Sequence, residues 1–139
     1  MNYKIIGKYI QSLDFKIPNP KTFFLLSKNI SNYKINIDIK SNQIKDKIIE
    51  VQTTLSLLTA KDNKDRINSK IVYSTIIELV DQIKKKKDIE EIILIKVPTE
   101  IYSELRNIFI FIFESSGFKD IEISKNVDFK KLHELRKIQ

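Results

Sequence analysis

Residues 98–118 of the chain read PTEIYSELRNIFIFIFESSGF, and this stretch decides the fold that we expect. Its ends favour a helix, because Pro98 disfavours helical backbone in the residue before it, Thr99 can cap an N-terminus, and Gly117 suits a left-handed C-terminal position. The first half is amphipathic, but residues 108–113 are six apolar residues in succession. A helix that is apolar on every side must be buried on more than one side. One sheet covers one side, so we expect a second copy of the chain to cover the other.

A buried strand is the alternative structure for residues 108–113, since Ile and Phe both have high strand propensity. The capping residues and the polar first half of the stretch favour the helix instead. The apolar segment Ile89–Val97 fits either a short helix or a strand, and the sequence leaves both open.

Length and composition indicate a single domain, residues 1–139, that is long enough to bury a core. The sequence contains no cysteine and one histidine, His133, so we expect no disulfide, no metal site and no enzymatic activity. The longest apolar run is far shorter than the ~20 residues of a membrane span, and the N-terminus lacks the apolar core of a signal peptide. These features predict a cytoplasmic protein that does not enter a membrane.

The net charge of +7 would by itself suit a nucleic-acid-binding module. However, 22 of the 25 basic residues are Lys and three are Arg, while Ile outnumbers Val by 27 to 5. This joint bias is typical of an A/T-rich coding sequence, and Arg, the residue that reads guanine bidentately, is scarce. We therefore interpret the densest basic run, Lys84–Lys87, as a solvated turn, and nucleic acid is not the partner that we expect.

Apolar and polar residues alternate in four segments, which is typical of strands that bury one face. The segments are Tyr3–Ile17, Tyr33–Ile39, Ile44–Thr59 and Ile67–Leu79. Polar breaks at residues 41–43 and 61–65 separate the last three, and residues 21–32 are expected to form a loop that carries four apolar residues.

The helical segments follow the strands. After residues 98–118, Ile121 and Ile123 are expected in an extended connector, and Asp128 can cap a final helix, Phe129–Ile138. Strands followed by helices predict the α+β class, with a four-stranded antiparallel sheet and the helices packed on one of its faces.

Several short motifs, in matching order and spacing, resemble the SecB family of protein-export chaperones. Ile101–Phe118 begins Ile-Tyr-x-x-Leu-Arg and ends Ser-x-Gly-Phe, and it is similar to the family's Leu-Phe-Pro-x-Ala-Arg run, apolar helix and Arg-Gly-x-Phe-Pro ending. Val127–Phe129 is similar to a Val-Asn-Phe-Asp segment, and Ile49–Val51 to a Tyr-Glu-Val. Tyr9–Pro20 is similar to the family's Tyr-x-Lys-Asp-x-Ser-Phe-Glu-x-Pro-Asn-x-Pro stretch, so the resemblance covers nearly the whole chain.

The resemblance implies a homotetramer, built as a dimer of dimers, that holds unfolded preproteins in apolar grooves and delivers them to the translocation motor SecA. It implies no catalysis and no cofactor. The residues that it places in the peptide-binding groove are Phe23, Phe24, Ile35, Ile37, Ile39, Ile67 and Ile71. The residues that it places in the oligomer interface are Tyr102, Leu105, Arg106, Phe109, Ile112 and Phe113.

The chain departs from the family at the positions that are expected to contact the motor. The family is usually acidic, whereas this chain has Ser12, Lys16 and Lys70 there. Without carboxylates, the charge pairing that a basic partner domain needs is lost. The alternatives that stay open are a holdase uncoupled from SecA, either generic or linked to a toxin–antitoxin pair, a basic nucleic-acid-binding module, and a structural oligomer without a client.

Overall fold

The computed structural model describes residues 2–29, 34–58, 68–80, 85–119 and 121–138. In chain order its elements are β1 (Tyr3–Lys16), α1 (Pro20–Asn29), β2 (Lys34–Lys45), β3 (Ile48–Leu58), β4 (Asn68–Leu79), α2 (Lys86–Glu91), a π-helical segment (Ile92–Lys96), α3 (Val97–Ser115) and α4 (Phe129–Ile138). The predicted α+β class is confirmed.

The four strands form one antiparallel sheet in the order β1-β4-β3-β2. Alternate residues of β3 are buried on the helix-facing side, from Ile49 at 6% exposed to Leu55 at 0%. Glu50 and Gln52 lie between them on the opposite face, where polar side chains prevail. This alternation is the one that the sequence predicts, and it fixes which face of the sheet is covered.

The apolar run at residues 108–113 lies within α3, so the helical prediction is confirmed and the strand alternative is wrong. The helix buries Tyr102, Leu105, Phe109 and Phe113, which are spaced by three or four residues as on one helical face. All four are at most 4% exposed and form one cluster with residues of β3, β4 and α4. Each large apolar side chain buried in this way contributes about 1.5–3 kcal/mol, so α3 is a major source of the subunit's stability.

The predicted start of α3 at Pro98 is wrong. Val97 is already helical, with φ −64° and ψ −51°, and the helix continues from α2 through the π-helical segment. Proline lacks an N–H and its ring clashes with the carbonyl four residues earlier in a regular α-helix, whereas a π-helical turn widens the backbone there. Thr99 is therefore not an N-cap, and its hydroxyl donates a hydrogen bond to the carbonyl of Ile95.

The C-terminal end of α3 is as predicted. Gly117 has a φ of 98°, in the left-handed region. Its N–H donates to the carbonyl of Glu114 at 3.1 Å, and the N–H of Phe118 donates to the carbonyl of Phe113 at 3.0 Å. This pair of bonds satisfies carbonyls that a helix end would leave open and turns Phe118 back into the core.

The predicted loop at residues 21–32 is wrong, because α1 runs from Pro20 to Asn29. The Oδ1 atom of Asn19 accepts a hydrogen bond from the N–H of Thr22 at 2.8 Å, which caps the helix. The proline that follows Asn19 suits the first helical position, since its missing N–H has no intrahelical partner there.

The predicted break at residues 41–43 is also wrong, because β2 continues to Lys45. The chain turns at Asp46 and Lys47, where Lys47 has a φ of 66°, and β3 starts four residues later than predicted. Both faces of this hairpin end are exposed, so polar residues fit a paired strand there. The predicted turn at residues 61–65 lies outside the described residues.

The connector between α3 and α4 is held by side chains at both ends. Arg106 donates a hydrogen bond to the carbonyl of Ile123 at 3.0 Å. Asp128 caps α4, as predicted, by accepting a hydrogen bond from the N–H of Lys131 at 3.0 Å. The chain is thereby brought back to the sheet, where α4 lies beside β2.

Candidate functional site

An open apolar groove lies between the edge strand β2 and the helix α4, and we call it the β2–α4 groove. It contains a pocket of about 230 Å³. The pocket is lined from β2, the π-helical segment and α4 by Ile39, Leu94, Phe129, Leu132, His133 and Arg136. The groove therefore combines an apolar floor with two basic or titratable side chains at its rim.

Three of the predicted peptide-binding residues line this side of β2. Ile35, Ile37 and Ile39 alternate along the strand and are half-buried, with their side chains packed against the edge of the main core. The structure brings them together on one face, as the alternation predicts. Because they are half-buried, each keeps apolar surface that a bound chain can cover.

Two further predicted residues lie on α1. Phe23 is half-buried, and its ring centroid is 5.0 Å from that of Phe118. Phe24, the next residue, is 63% exposed. In the isolated subunit the side chain of Phe24 is thus accessible to another chain, whereas Phe23 packs against the main core.

The remaining two predicted groove residues, Ile67 and Ile71, do not line the open groove in the described part of the chain. Ile71 is 1% exposed in β4 and belongs to the main core. Ile67 lies outside the described residues. The side chain of Ile71 is therefore accessible only if this part of the core opens.

The residues predicted for the oligomer interface also differ in their exposure to solvent. Tyr102, Leu105, Phe109 and Phe113 are buried inside the subunit, while Arg106 and Ile112 are half-buried. Sequence reasoning missed Phe111, which is 69% exposed on the outer face of α3.

A helical wheel identifies this residue. Phe111 lies about 160° from Phe109 around the helix axis, opposite the buried face. The expectation that one sheet cannot cover residues 108–113 is met at this position, since the sheet leaves Phe111 uncovered.

The three predicted motor-contact positions share the outer, uncovered face of the sheet. Ser12 pairs with Val72, Lys16 with Asn68, and Lys70 with Asp14 across β1 and β4. Asp14 is a carboxylate that was not among the predicted motor-contact positions. It lies opposite Lys70, so the face is less uniformly basic than the predicted positions alone indicate.

A polar cluster lies further along this outer face, where Glu50 accepts hydrogen bonds from Ser74 Oγ and from the hydroxyl of Tyr9, both at 2.6 Å. The bonds from Ser74 and Tyr9 hold the pKa of Glu50 below its usual range. The cluster fixes a negative charge on the face that carries Lys16 and Lys70.

A second carboxylate fastens α3 to the sheet. Glu104 accepts a bond from Lys8 Nζ at 2.7 Å and one from the hydroxyl of Tyr73 at 2.9 Å. The bond from Lys8, followed by that from Tyr73, lowers the pKa of Glu104. Burial and the bond to Glu104 raise the pKa of Tyr73 to about 12. We call this set the Lys8–Glu104 seam.

The described residues bring together no group of three His, Cys, Asp or Glu side chains that could hold a metal ion. In the same part of the chain, no helix is both long and apolar enough to cross a membrane. His133 lines the β2–α4 groove and also a second pocket, which it shares with Glu90, Glu91 and Glu134. The fold and the groove together define an α+β protein whose distinctive surface feature is an open apolar groove.

Comparison with known proteins identifies the family. Residues 1–139 match the family model described as preprotein translocase subunit SecB. The putative protein-export protein SecB of Pelagibacter ubique (strain HTCC1062) is 36% identical over 135 residues, which cover 97% of this chain and 96% of the relative. The protein-export protein SecB of Anaplasma phagocytophilum (strain HZ) is 21% identical over 143 residues, covering 94% of this chain and 90% of the relative. This chain belongs to the SecB family, which is a family of chaperones and not an enzyme class.

A solved structure has the same fold. It is a SecB-like chaperone from Mycobacterium tuberculosis in complex with a peptide from an antitoxin, and the two chains superpose with a TM-score of 0.66. The match covers 91% of this chain and 88% of the other at 8% identity. At this identity the likeness concerns the fold alone, and it supports the four-stranded sheet with helices described above.

Proposed function

We propose that this chain is a protein-export chaperone that holds unfolded preproteins on its apolar surface. The observation that carries the proposal is the open β2–α4 groove in a chain whose full length matches the SecB family. Holding requires binding alone, so residues 1–139 act as one domain without a catalytic step or a cofactor. The compartment is the cytoplasm, where a preprotein is still unfolded before it crosses the membrane.

Client binding follows from the burial of apolar surface. An unfolded chain exposes apolar side chains, and covering them gains roughly 25 cal/mol per Å². Phe24, Ile35, Ile37 and Ile39 offer surface for this contact in the folded subunit. Phe23, Ile67 and Ile71 complete the proposed contact set.

The proposed assembly is a homotetramer, formed as a dimer of dimers around α3. Phe111 is the strongest support for this assembly. Its aromatic side chain is 69% exposed, and covering it with a partner subunit would be favourable in free energy. Arg106 and Ile112 contact the partner directly, and the buried residues of the predicted interface hold α3 in place beneath it. Several grooves on one tetramer then bind one long client with an avidity that exceeds the affinity of each groove.

Delivery to SecA is the finer part of the proposal. The contact face is the outer face of the sheet, where Ser12, Lys16 and Lys70 lie. The positive charges of Lys16 and Lys70 favour an acidic docking segment on the motor, since complementary charge sets specificity and association rate. A holdase that is uncoupled from SecA is the second candidate, and these same lysines favour it if the motor's docking segment is basic.

Native mass spectrometry with and without an unfolded preprotein tests holding and assembly together. The expected result is a tetramer that gains the mass of one unfolded client and gains nothing from the same client in its folded form. Phe24→Ser is expected to weaken client binding several-fold, whereas Val80→Ser, which alters a similarly exposed apolar residue, is expected to leave it unchanged. A compact monomer that ignores unfolded polypeptide would contradict the proposal.

A pull-down with purified SecA separates the two candidates. Capture at low salt that weakens as salt is added supports delivery to the motor through charged contacts. No capture at any salt concentration, with client binding intact, supports the uncoupled holdase.

A further inference from the structure

The segment formed by α2 and the π-helical turn, residues 86–96, is held to the rest of the subunit by little buried surface. In the described part of the chain, α2 buries none of its side chains and the π-helical turn buries one, Ile92. Ile89 and Ile93 are half-buried beside it. A segment with so few buried apolar contacts can open locally at a low cost in free energy.

This segment covers an apolar cluster that is separate from the main core, and we call it the end cluster. Its buried members, from the sheet and from the helical layer, are Tyr3, Ile49, Val51, Ile77, Leu79, Ile92 and Val97. The main core is covered instead by α1, α3 and α4, which contribute Leu26, Leu105 and Phe129. The two parts of the helical layer therefore rest on different clusters of the same sheet.

Two threonines, which we call the threonine pair, lie at the boundary between these clusters. Thr53 in β3 and Thr75 in β4 each have a main-core residue two positions away on one side and an end-cluster residue two positions away on the other. Thr53 pairs with Tyr73 and Thr75 with Val51, so the two threonines are diagonal neighbours. Both are 0% exposed, and their hydroxyls have no hydrogen-bond partner among the described residues. Opening of the end cluster would let water bond to these hydroxyls, which lowers the cost of the opening.

The junction between this segment and α3 has the features of a hinge. Pro98 has no N–H, so the helix lacks one backbone hydrogen bond there. The N–H of Val97 donates to the carbonyl of Ile92, five residues earlier, as in a π-helix. Sharp bends in helices occur at prolines and at π-helical turns. Movement of residues 86–96 relative to α3 is therefore expected at Val97 and Pro98.

The π-helical turn borders open space in three pockets. Leu94 lines the β2–α4 groove. Ile95 lines a cleft of about 350 Å³ between α2 and α4, and Lys96 lines a pocket of about 470 Å³ beside the start of β1. These spaces leave the turn room to move outward while α4 and β1 keep their places.

We propose that residues 86–96 form a flap that opens as one unit about Val97 and Pro98, with the threonine pair at the boundary of the opening. The main core stays folded while the end cluster is open. Opening exposes the end cluster to water and hydrates the hydroxyls of Thr53 and Thr75. The inference goes beyond the proposed function and stands without it, because it concerns the folded subunit alone.

Amide hydrogen exchange of the intact wild-type protein, followed by NMR at low urea concentrations, tests the flap. The N–H groups of Ile92 and Val97 both donate within the helix, and we expect them to share one opening free energy that falls as urea is added. The amides of Leu105 and Phe109 in α3 are expected to exchange at least about 100-fold more slowly. Opening free energies that decline steadily from Val97 toward the start of α2 would indicate fraying and overturn the proposal. Equal protection of the flap and α3 would overturn it as well.

Ile77→Val, with Ile71→Val as its matched control, identifies the unit that opens. Both residues lie in β4 and are at most 1% exposed, but Ile77 belongs to the end cluster and Ile71 to the main core. Loss of a methyl group from Ile77 is expected to speed exchange at Ile92 and Val97 about three- to ten-fold, because it weakens the packing beneath the flap. The same loss from Ile71 is expected to leave these two amides unchanged. Equal acceleration by both variants would mean that the flap opens only when the whole subunit unfolds, which contradicts the proposal.

Thr75→Val tests the part that the threonine pair plays, with Thr54→Val as its control. Valine keeps the shape of threonine and removes the unsatisfied hydroxyl, so exchange at Ile92 and Val97 is expected to slow about three- to ten-fold. Thr54 is half-buried on the outer face of the sheet, and its replacement is expected to leave these rates unchanged. Unchanged exchange in Thr75→Val would overturn the placement of the boundary at the threonine pair.

Discussion

Two regions of the molecule use apolar side chains in opposite ways. Where α3 covers the sheet, Leu105, Phe109 and Phe113 are at most 1% exposed. In the β2–α4 groove, by contrast, Ile37 and Leu132 are half-buried beside a pocket of about 230 Å³. The closed region uses its apolar surface to stabilise the subunit, while the open region leaves part of its apolar surface exposed to water.

A Leu→Ala substitution in each region is expected to give the largest difference in the free energy of unfolding. Leu105→Ala removes a side chain that is 0% exposed, and we expect it to lower the free energy of unfolding by about 3–5 kcal/mol. Leu132→Ala removes a half-buried side chain whose site already borders open space, so we expect a loss of about 1 kcal/mol. Urea denaturation of both variants measures the difference. Equal losses would mean that the groove is as tightly packed as the core.

A pair of glycine substitutions tests where the closed region ends. Gly117→Ala adds a Cβ atom 3.2 Å from the ring of Phe23 at a residue whose φ is 98°, so we expect a loss of about 1–2 kcal/mol. Gly7→Ala adds a Cβ atom whose nearest neighbour, on Ile76, is 3.7 Å away, an ordinary contact. We expect that control to change stability by less than about 0.5 kcal/mol in the same denaturation assay. A tolerated Gly117→Ala would contradict both the backbone strain at this φ and the close contact with Phe23.

Removing the charge of Glu104 in the Lys8–Glu104 seam is expected to change the stability least, because this side chain is 45% exposed and solvent weakens its ion pair. Lys8 and Tyr73 stabilise the ionised form of Glu104, so its folded pKa lies below the unfolded value of about 4.3. The resulting stability is fully present above the unfolded pKa and is lost as the pH falls through the folded pKa.

We therefore expect Glu104→Gln to be less stable than the wild type near neutral pH and equally stable in acid. Thermal unfolding measured across this pH range checks the prediction. Glu114→Gln, which removes another exposed carboxylate of α3, is expected to follow the wild-type pH profile. A pH-independent loss in Glu104→Gln would contradict the assignment of the effect to this charge.

Much of the fold could be predicted from local pattern. The alternation in β3 identifies its buried face because strand side chains alternate strictly between the two faces. The end of α3 could be predicted from Gly117, since the left-handed residue there favours glycine. The helix α1 was missed because its four consecutive apolar residues have no helical period, although Asn19 and Pro20 are a recognisable helix start.

The candidate site could be predicted only in part, because access depends on where the helices lie over the sheet. Ile37 and Ile71 alternate in their strands alike, but Ile37 is in an edge strand and Ile71 in a central one. The bond between Arg136 and Ile37 joins residues 99 positions apart, and no local pattern predicts it. Phe111 was within reach of sequence reasoning, since the spacing of the buried residues of α3 leaves it opposite them.

The π-helical segment before Pro98 contains one residue more than an α-helical turn of the same span, so it acts as a one-residue insertion. It lets Ile92 and Val97 both face the sheet, where they are at most 1% exposed, although five positions separate them. In an unbroken α-helix these two side chains would lie about 140° apart. Loss of a single codon here would rotate α2 relative to α3 and withdraw Ile92 from the sheet, so we expect a deletion or an insertion in this turn to destabilise the subunit.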